Sequence, residues 1–204
     1  MTDRLTDFEH LLLGLICAEP SSGYDLKRAF ATTPIGVYQP SSGALYPALQ
    51  RLKTRGLIES QPPTTASVAP SRRRSAYQAT AAGLAAHENW VRTPVEAASV
   101  SRDLGLHLMR FVMMEPLLTR HEVLAFLYGL RDALAALVAE LERYTRSANL
   151  EGRHPALALD HGIQVHRASL DWAEHAITSL TTSTDPPARR GNGPHARDAR
   201  SDAN

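Results

Sequence analysis

The sequence has one cysteine, Cys17, which excludes an internal disulfide and a cysteine-built zinc site. That thiol sits in an apolar stretch with no neighbouring cation, so it is expected to be an inert core residue. The longest apolar run, Leu11 to Ala18, is far below the roughly 18 residues of a membrane span. The start of the chain, with Asp3, Arg4, Asp7 and Glu9, has no signal-peptide pattern. The expectation is a cytoplasmic protein with no membrane partner. No G-x-S-x-G, P-loop, G-x-G-x-x-G or H-E-x-x-H occurs, so no catalytic residue and no cofactor is expected. Among nine histidines, the late ones (His154, His161, His166, His175) do not place a pair and a carboxylate on one helix face. No metal site is expected there. Net charge is nearly absent as well, with 22 Lys and Arg against 21 Asp and Glu.

Near-zero net charge conceals a distribution. Residues 21–83 hold eight Lys or Arg against two Asp or Glu, and Lys27 and Lys53 are the only lysines in the chain. Arginine is the cation suited to forked contacts with phosphate and guanine. A solvated basic face is the bland alternative, and the pattern of elements has to decide between them. The chain is 204 residues long and 43% hydrophobic, enough for a real core in one or two domains.

Leu5, Phe8, Leu12, Leu15 and Ile16 recur at helical spacing until Pro20, predicting a first helix. Ser22-Gly23-Tyr24-Asp25 reads as a capping box opening a short second helix, with Leu26 and Phe30 inside and an end near Thr32. After a connector bearing Pro34, Gly36 and Pro40, Ser41-Ser42 caps a third helix with an inner stripe of Leu45, Leu49 and Leu52 and a C-cap at Gly56. Pro47 falls near its first turn, where several N–H groups lack an intrahelical partner and a proline costs least. Leu57–Gln61 and Arg74–Thr80 read as a hairpin with a long tip, and Thr80-Ala81-Ala82-Gly83 starts another helix that runs through Trp90. Thr93-Pro94 marks a boundary. This order predicts a winged helix-turn-helix domain over residues 1–92.

The second half is helical by pattern. Val123, Leu127, Leu130, Leu134, Leu137, Leu141 and Tyr144 form a heptad seam, and Leu159, Ile163, His166, Leu170, Ala173, Ile177 and Leu180 form another. Such seams are satisfied either inside one chain or by a second copy. Dimerisation is assigned here to Val123, Leu127, Leu130, Leu134, Leu137, Leu141, Ile163, Leu170 and Ile177. His166 is the one polar break in the seam, and Trp90 and Trp172 are either core residues or the lining of an aromatic pocket. These three are candidate effector contacts. The expected fold class is mainly α, with the winged domain followed by an all-α dimerisation domain over 93–181 and a disordered, polar tail over 182–204.

Three segments carry a resemblance. Leu12-Leu13-Gly14-Leu15-Ile16, Pro20 and Ser22-Gly23-Tyr24-Asp25-Leu26 form the first, and Ser42-Gly43-Ala44-Leu45-Tyr46-Pro47-Ala48-Leu49 with Leu52, Gly56, Leu57 and Ile58 form the second. Arg72-Arg73-Arg74-Ser75-Ala76-Tyr77 with Thr80-Ala81-Ala82-Gly83 is the third. Together they resemble the PadR family of bacterial transcriptional regulators over residues 8 to 92. The resemblance implies a homodimer, expected to act as a repressor, that binds a palindromic operator in double-stranded DNA. It also implies that a small aromatic effector relieves DNA binding in some members. Ala44 departs from the family's usual Ser or Thr, and the wing tip carries no charge before Arg72. With the leucine stripe inward, Ser41, Ser42, Tyr46, Gln50, Arg51 and Lys53 are the candidate DNA contacts on helix three, joined by Arg72, Arg73 and Arg74 on the wing. The competing reading is a winged-helix module for protein partners without sequence-specific DNA binding.

Overall fold

The first helix begins where two groups cap each other. The Thr6 hydroxyl accepts the Glu9 N–H at 3.3 Å and the Glu9 carboxylate accepts the Thr6 N–H at 2.8 Å, closing a capping box at the start of α1 (Asp7–Ala18). In this computed structural model, which describes residues 4–32, 42–61, 76–115, 117–147 and 152–182, α1 is covered on several sides. Leu11, Leu12, Leu13 and Ile16 are all buried, because α3, α4, β2 and α6 each pack against it. A single inner stripe was the expectation from spacing, and of that stripe Leu5, Phe8 and Leu15 are only half-buried.

The capping box at Ser22 is present. Asp25 N donates to Ser22 Oγ at 3.3 Å and Ser22 N to the Asp25 carboxylate at 3.2 Å, opening α2 (Gly23–Thr32). In α3 (Ser42–Thr54), Leu45, Ala48, Leu49 and Leu52 are buried. Gly56 follows with φ 69°, and its N–H reaches Lys53 O while the Leu57 N–H reaches Leu52 O at 3.0 Å. This is the paired-bond helix ending that a left-handed glycine permits. Strand β1 (Ile58–Gln61) pairs antiparallel with β2 (Ala76–Ala79), Ile58 opposite Ala79 and Gln61 opposite Ala76. Ser21 and Tyr77 exchange backbone bonds of 3.0 and 2.9 Å, so the α1–α2 turn adds a one-residue third strand. The first strand begins one residue inside its expected limit and the second ends one residue inside its own, while Arg74 and Ser75 lie outside the described residues.

Helix α4 (Ala81–Val91) starts at Thr80, whose hydroxyl accepts the Gly83 N–H. Then come α5 (Ala97–Val100), α6 (Leu104–Met114), α7 (Arg120–Ser147) and α8 (Arg153–Thr182). The short α5 lacks a side-chain cap and has no periodic stripe, so its sequence does not announce it. Pro155 lies in the first turn of α8, where it is tolerated. This helix continues through Thr182, one residue into the segment expected to be disordered; the rest of that tail lies outside the described residues. Among the described residues no helix is long and apolar enough to cross a membrane.

Two clusters of buried side chains form. One joins α1, α2, α3 and β1 around Phe30, Leu26 and Leu49. The other gathers Val91, Val100, Met114, Leu127, Leu130, Leu134 and Ala173. The second takes in residues of the seam assigned to dimerisation. Val123, Leu127, Leu130, Leu134 and Ile163 are buried within the single chain, Leu127, Leu130 and Leu134 at 0% exposure. Leu137, Leu170 and Ile177 are half-buried against the same cluster, and Leu141 is half-buried. The cause is that α7 and α8 form a hairpin packed along its length, so each helix supplies the other with the apolar partner that a heptad stripe needs.

Candidate nucleic-acid interface

With its leucines inward, α3 leaves a polar outer face. Tyr46, Gln50 and Lys53 stand at i, i+4 and i+7 and are all exposed, so they lie in one row along the helix. Tyr46 keeps 55% of its surface free, although its ring rests against the start of α2 within contact distance of Gly23. Lys53 Nζ donates to Ser60 Oγ at 2.9 Å, linking the end of the helix to β1. Arg51 leaves the row and turns to α1, where its Nε donates to the Glu9 carboxylate at 2.6 Å. Of the other expected contacts, Ser41, the Ser42 side chain, Arg72, Arg73 and Arg74 lie outside the described residues.

Glu9 is 1% exposed. Burial acts to raise its pKa, but the Thr6 N–H, Arg51 and the Thr6 hydroxyl outweigh that and hold it below the ordinary carboxylate value. It therefore remains an anion inside the winged domain.

The other flank of α1 carries a second group of polar side chains. His10 stacks on Trp90 with ring centroids 4.9 Å apart, and His87 lies tilted against the same indole at 5.9 Å. Arg110, on α6, is 5% exposed. Its guanidinium lies 4.8 Å from the centre of the Phe126 ring and donates to the Thr93 carbonyl. Burial pushes Arg110 down to about 10. Burial and the nearby His87, Arg4 and Arg110 push His10 down to about 4, so His10 is neutral at pH 7. His107 shares a 2.8 Å hydrogen bond with Ser99 Oγ. The Nδ1 atoms of His10, His87 and His107 and Nε of Arg110 are buried with no hydrogen-bond partner among the described residues. Sequence reading missed this group because its members come from α1, α4 and α6. The available signal was Arg110 itself, a lone cation in the apolar helix Leu104–Met114.

The candidate effector residues do not converge. Trp90 packs on His10, whereas Trp172 meets Phe111 edge-on at 5.5 Å, though both touch the second core cluster. His166 lies six residues before Trp172, about 9 Å along α8, half-buried, with Nδ1 lacking a partner among the described residues. Cys17 is half-buried and its thiol is pushed up to about 11 by burial. Among the described residues no group of three or more His, Cys, Asp or Glu could hold a metal ion.

Residues 12–89 match the Transcriptional regulator PadR-like family, and residues 112–181 match the Virulence activator alpha C-term family. Residues 12–89 of this chain are thus PadR-like. The first of these families is described as one of transcriptional regulators. Solved structures similar to this chain include Bacillus subtilis PadR in complex with operator DNA, 16% identical, covering 84% of this chain and 98% of that one, with a TM-score of 0.38. The PadR-like regulator BC1756 from Bacillus cereus is 21% identical over 88% of this chain and 99% of its own, with a TM-score of 0.39. The Vibrio cholerae virulence activator AphA is 20% identical over 85% and 98%, with a TM-score of 0.34. No curated protein matches.

Proposed function

We propose that this PadR-like protein is a homodimeric, cytoplasmic repressor that reads a palindromic operator with two copies of α3 in successive major grooves, about 34 Å apart. The observation that carries this reading is the outer face of α3, where Tyr46, Gln50 and Lys53 form an exposed polar row above a fully buried leucine stripe. Base edges are read by such side chains, and the wing arginines Arg72, Arg73 and Arg74 supply backbone or minor-groove contact. The winged domain over 1–92 does the reading and the helical part over 93–181 holds the dimer. Because the α7–α8 seam is filled internally, the side chains left for a second copy are the exposed apolar ones, among them Leu108, Val112, Tyr128 and Val165. A small aromatic effector, held in the helical part near His166, completes the reading; the orphaned His166 Nδ1 supports it.

Selection of random duplexes on the purified protein, followed by band shifts at two salt concentrations, tests this. A repressor of this kind enriches a two-fold symmetric sequence and binds it at least about a thousandfold more tightly than random DNA. Weak binding without sequence preference would instead favour a protein-partner module.

A further inference from the structure

One ion pair ties the helix that faces DNA to the interior of its own domain. Glu9 uses its two carboxylate oxygens for different tasks. Oε2 accepts from the Thr6 N–H and hydroxyl at 2.8 and 3.1 Å, which completes the α1 cap. Oε1 takes the Nε–H of Arg51 at 2.6 Å, from 42 residues away in sequence. The carboxylate is almost fully buried while the arginine side chain is 52% exposed. A cap alone explains Oε2 and leaves Oε1 unexplained.

We propose that Glu9 positions Arg51 as a clamp on a DNA backbone phosphate, holding the guanidinium by Nε and leaving its two amino groups for the phosphate oxygens. This rests on the reading of α3 as the DNA-facing helix. A guanidinium carries five N–H donors in a rigid fork, so fixing it through Nε orients the two amino groups and leaves them unspent. An unheld arginine loses its rotamer freedom when it grips a phosphate; one already held in the free protein loses less. The pair also sets the angle of α3 on α1, because an anion buried this deeply is stable only with its cation in place.

The test uses the full chain and the duplex that the wild type selects, with affinity measured across salt concentrations. Arg51→Ala is expected to weaken binding about tenfold and to reduce the salt slope by about one unit, as for one lost phosphate contact. Glu9→Gln keeps the positive charge on Arg51, so it is expected to weaken binding several-fold with the slope unchanged, and to add nothing in the Arg51→Ala background. Thr6→Val removes the hydroxyl of the cap without touching Arg51, and is expected to lower thermal stability while affinity and slope stay as in the wild type. If Glu9→Gln does not fold, Arg51→Lys replaces it; lysine keeps the charge but lacks the fork, and the same loss at unchanged slope is expected. The proposal is overturned if Arg51→Ala leaves the slope intact, if Glu9→Gln leaves affinity unchanged or tightens binding, or if Thr6→Val reproduces the Glu9→Gln loss. A wild type that binds no duplex overturns the DNA-facing reading itself, and a wild type that binds while the variants disobey overturns only the clamp.

Discussion

Gly83 opens α4 against the backbone of the turn before β1, and replacing it by alanine reads that junction directly. A Cβ at this position would lie 2.0 Å from the Leu57 carbonyl oxygen and 3.0 Å from its carbon, distances that no rotamer change relieves because the obstacle is backbone. The same carbonyl accepts the Thr80 N–H at 3.0 Å, and the Thr80 hydroxyl donates to Gly56 O at 2.6 Å. Room for the methyl therefore comes from moving α4 off the turn and stretching both bonds. Overpacking costs about 1–3 kcal/mol, and two weakened hydrogen bonds about 1–3 kcal/mol together. Alanine returns about 1 kcal/mol of helix propensity. The net expectation is a loss of about 3 kcal/mol, a large share of the ~5–15 kcal/mol by which such domains are stable. Urea unfolding of Gly83→Ala should show the midpoint falling at an unchanged m-value. The sign decides the matter. If Gly83 were an ordinary helix glycine, alanine would raise stability by about 1 kcal/mol, and a midpoint at or above that of the wild type refutes the close-approach argument.

Leu134→Lys should unfold the helical half, seen as lost helicity by circular dichroism, because Leu134 is buried inside one chain; a folded monomer in sedimentation would put the seam between chains instead. His10 has its folded pKa pushed down to about 4, below the unfolded value of about 6.5, so its contribution is complete above pH 6.5 and is lost as pH falls towards 4. His10→Phe, which retains an aromatic partner for Trp90, should flatten the stability profile over that window in denaturation at stepped pH. Glu122, hydrogen-bonded to the Thr119 N–H and hydroxyl and to Arg92, is held down to about 2. Its contribution is present above its unfolded value of about 4.3 and lost as pH falls to 2, so Glu122→Gln should lose the acid-side slope in that range.

Local signals in the sequence were read well where the physics is local. Ser22 with Asp25, the Leu45–Leu49–Leu52 stripe, Gly56 and Thr80 are recognised because each acts within one turn of its own helix. The partner of a heptad stripe is a different kind of question. Val123 through Leu141 show the same period whether α8 or a second chain covers them, and nothing in the spacing separates the two. The same limit hid the full coverage of α1: Leu11 and Leu13 lie off the expected stripe and are buried because α4 and α6 also pack on that helix. On α3 the outward row of Tyr46, Gln50 and Lys53 was legible from the stripe alone. The turn of Arg51 towards Glu9 was not, since an ion pair across 42 residues leaves no trace in either local pattern.

Consecutive residues of α1 serve different neighbours. Glu9 holds α3 through Arg51, while His10, next in the chain, stacks on Trp90 beside His87. Successive side chains on a helix point about 100° apart, so one rigid turn carries contacts to α3 on one flank and to α4 on another, with α6 also against α1. A shift of α6 that displaced α1 would act on α3 through the Glu9–Arg51 pair, whose carboxylate is buried and depends on the half-exposed guanidinium as its partner. Coupling between a helical domain and a DNA-reading helix requires a physically continuous element whose arrangement both ends can bias. In this chain α1 is placed to be that element, since it packs against both α3 and α6.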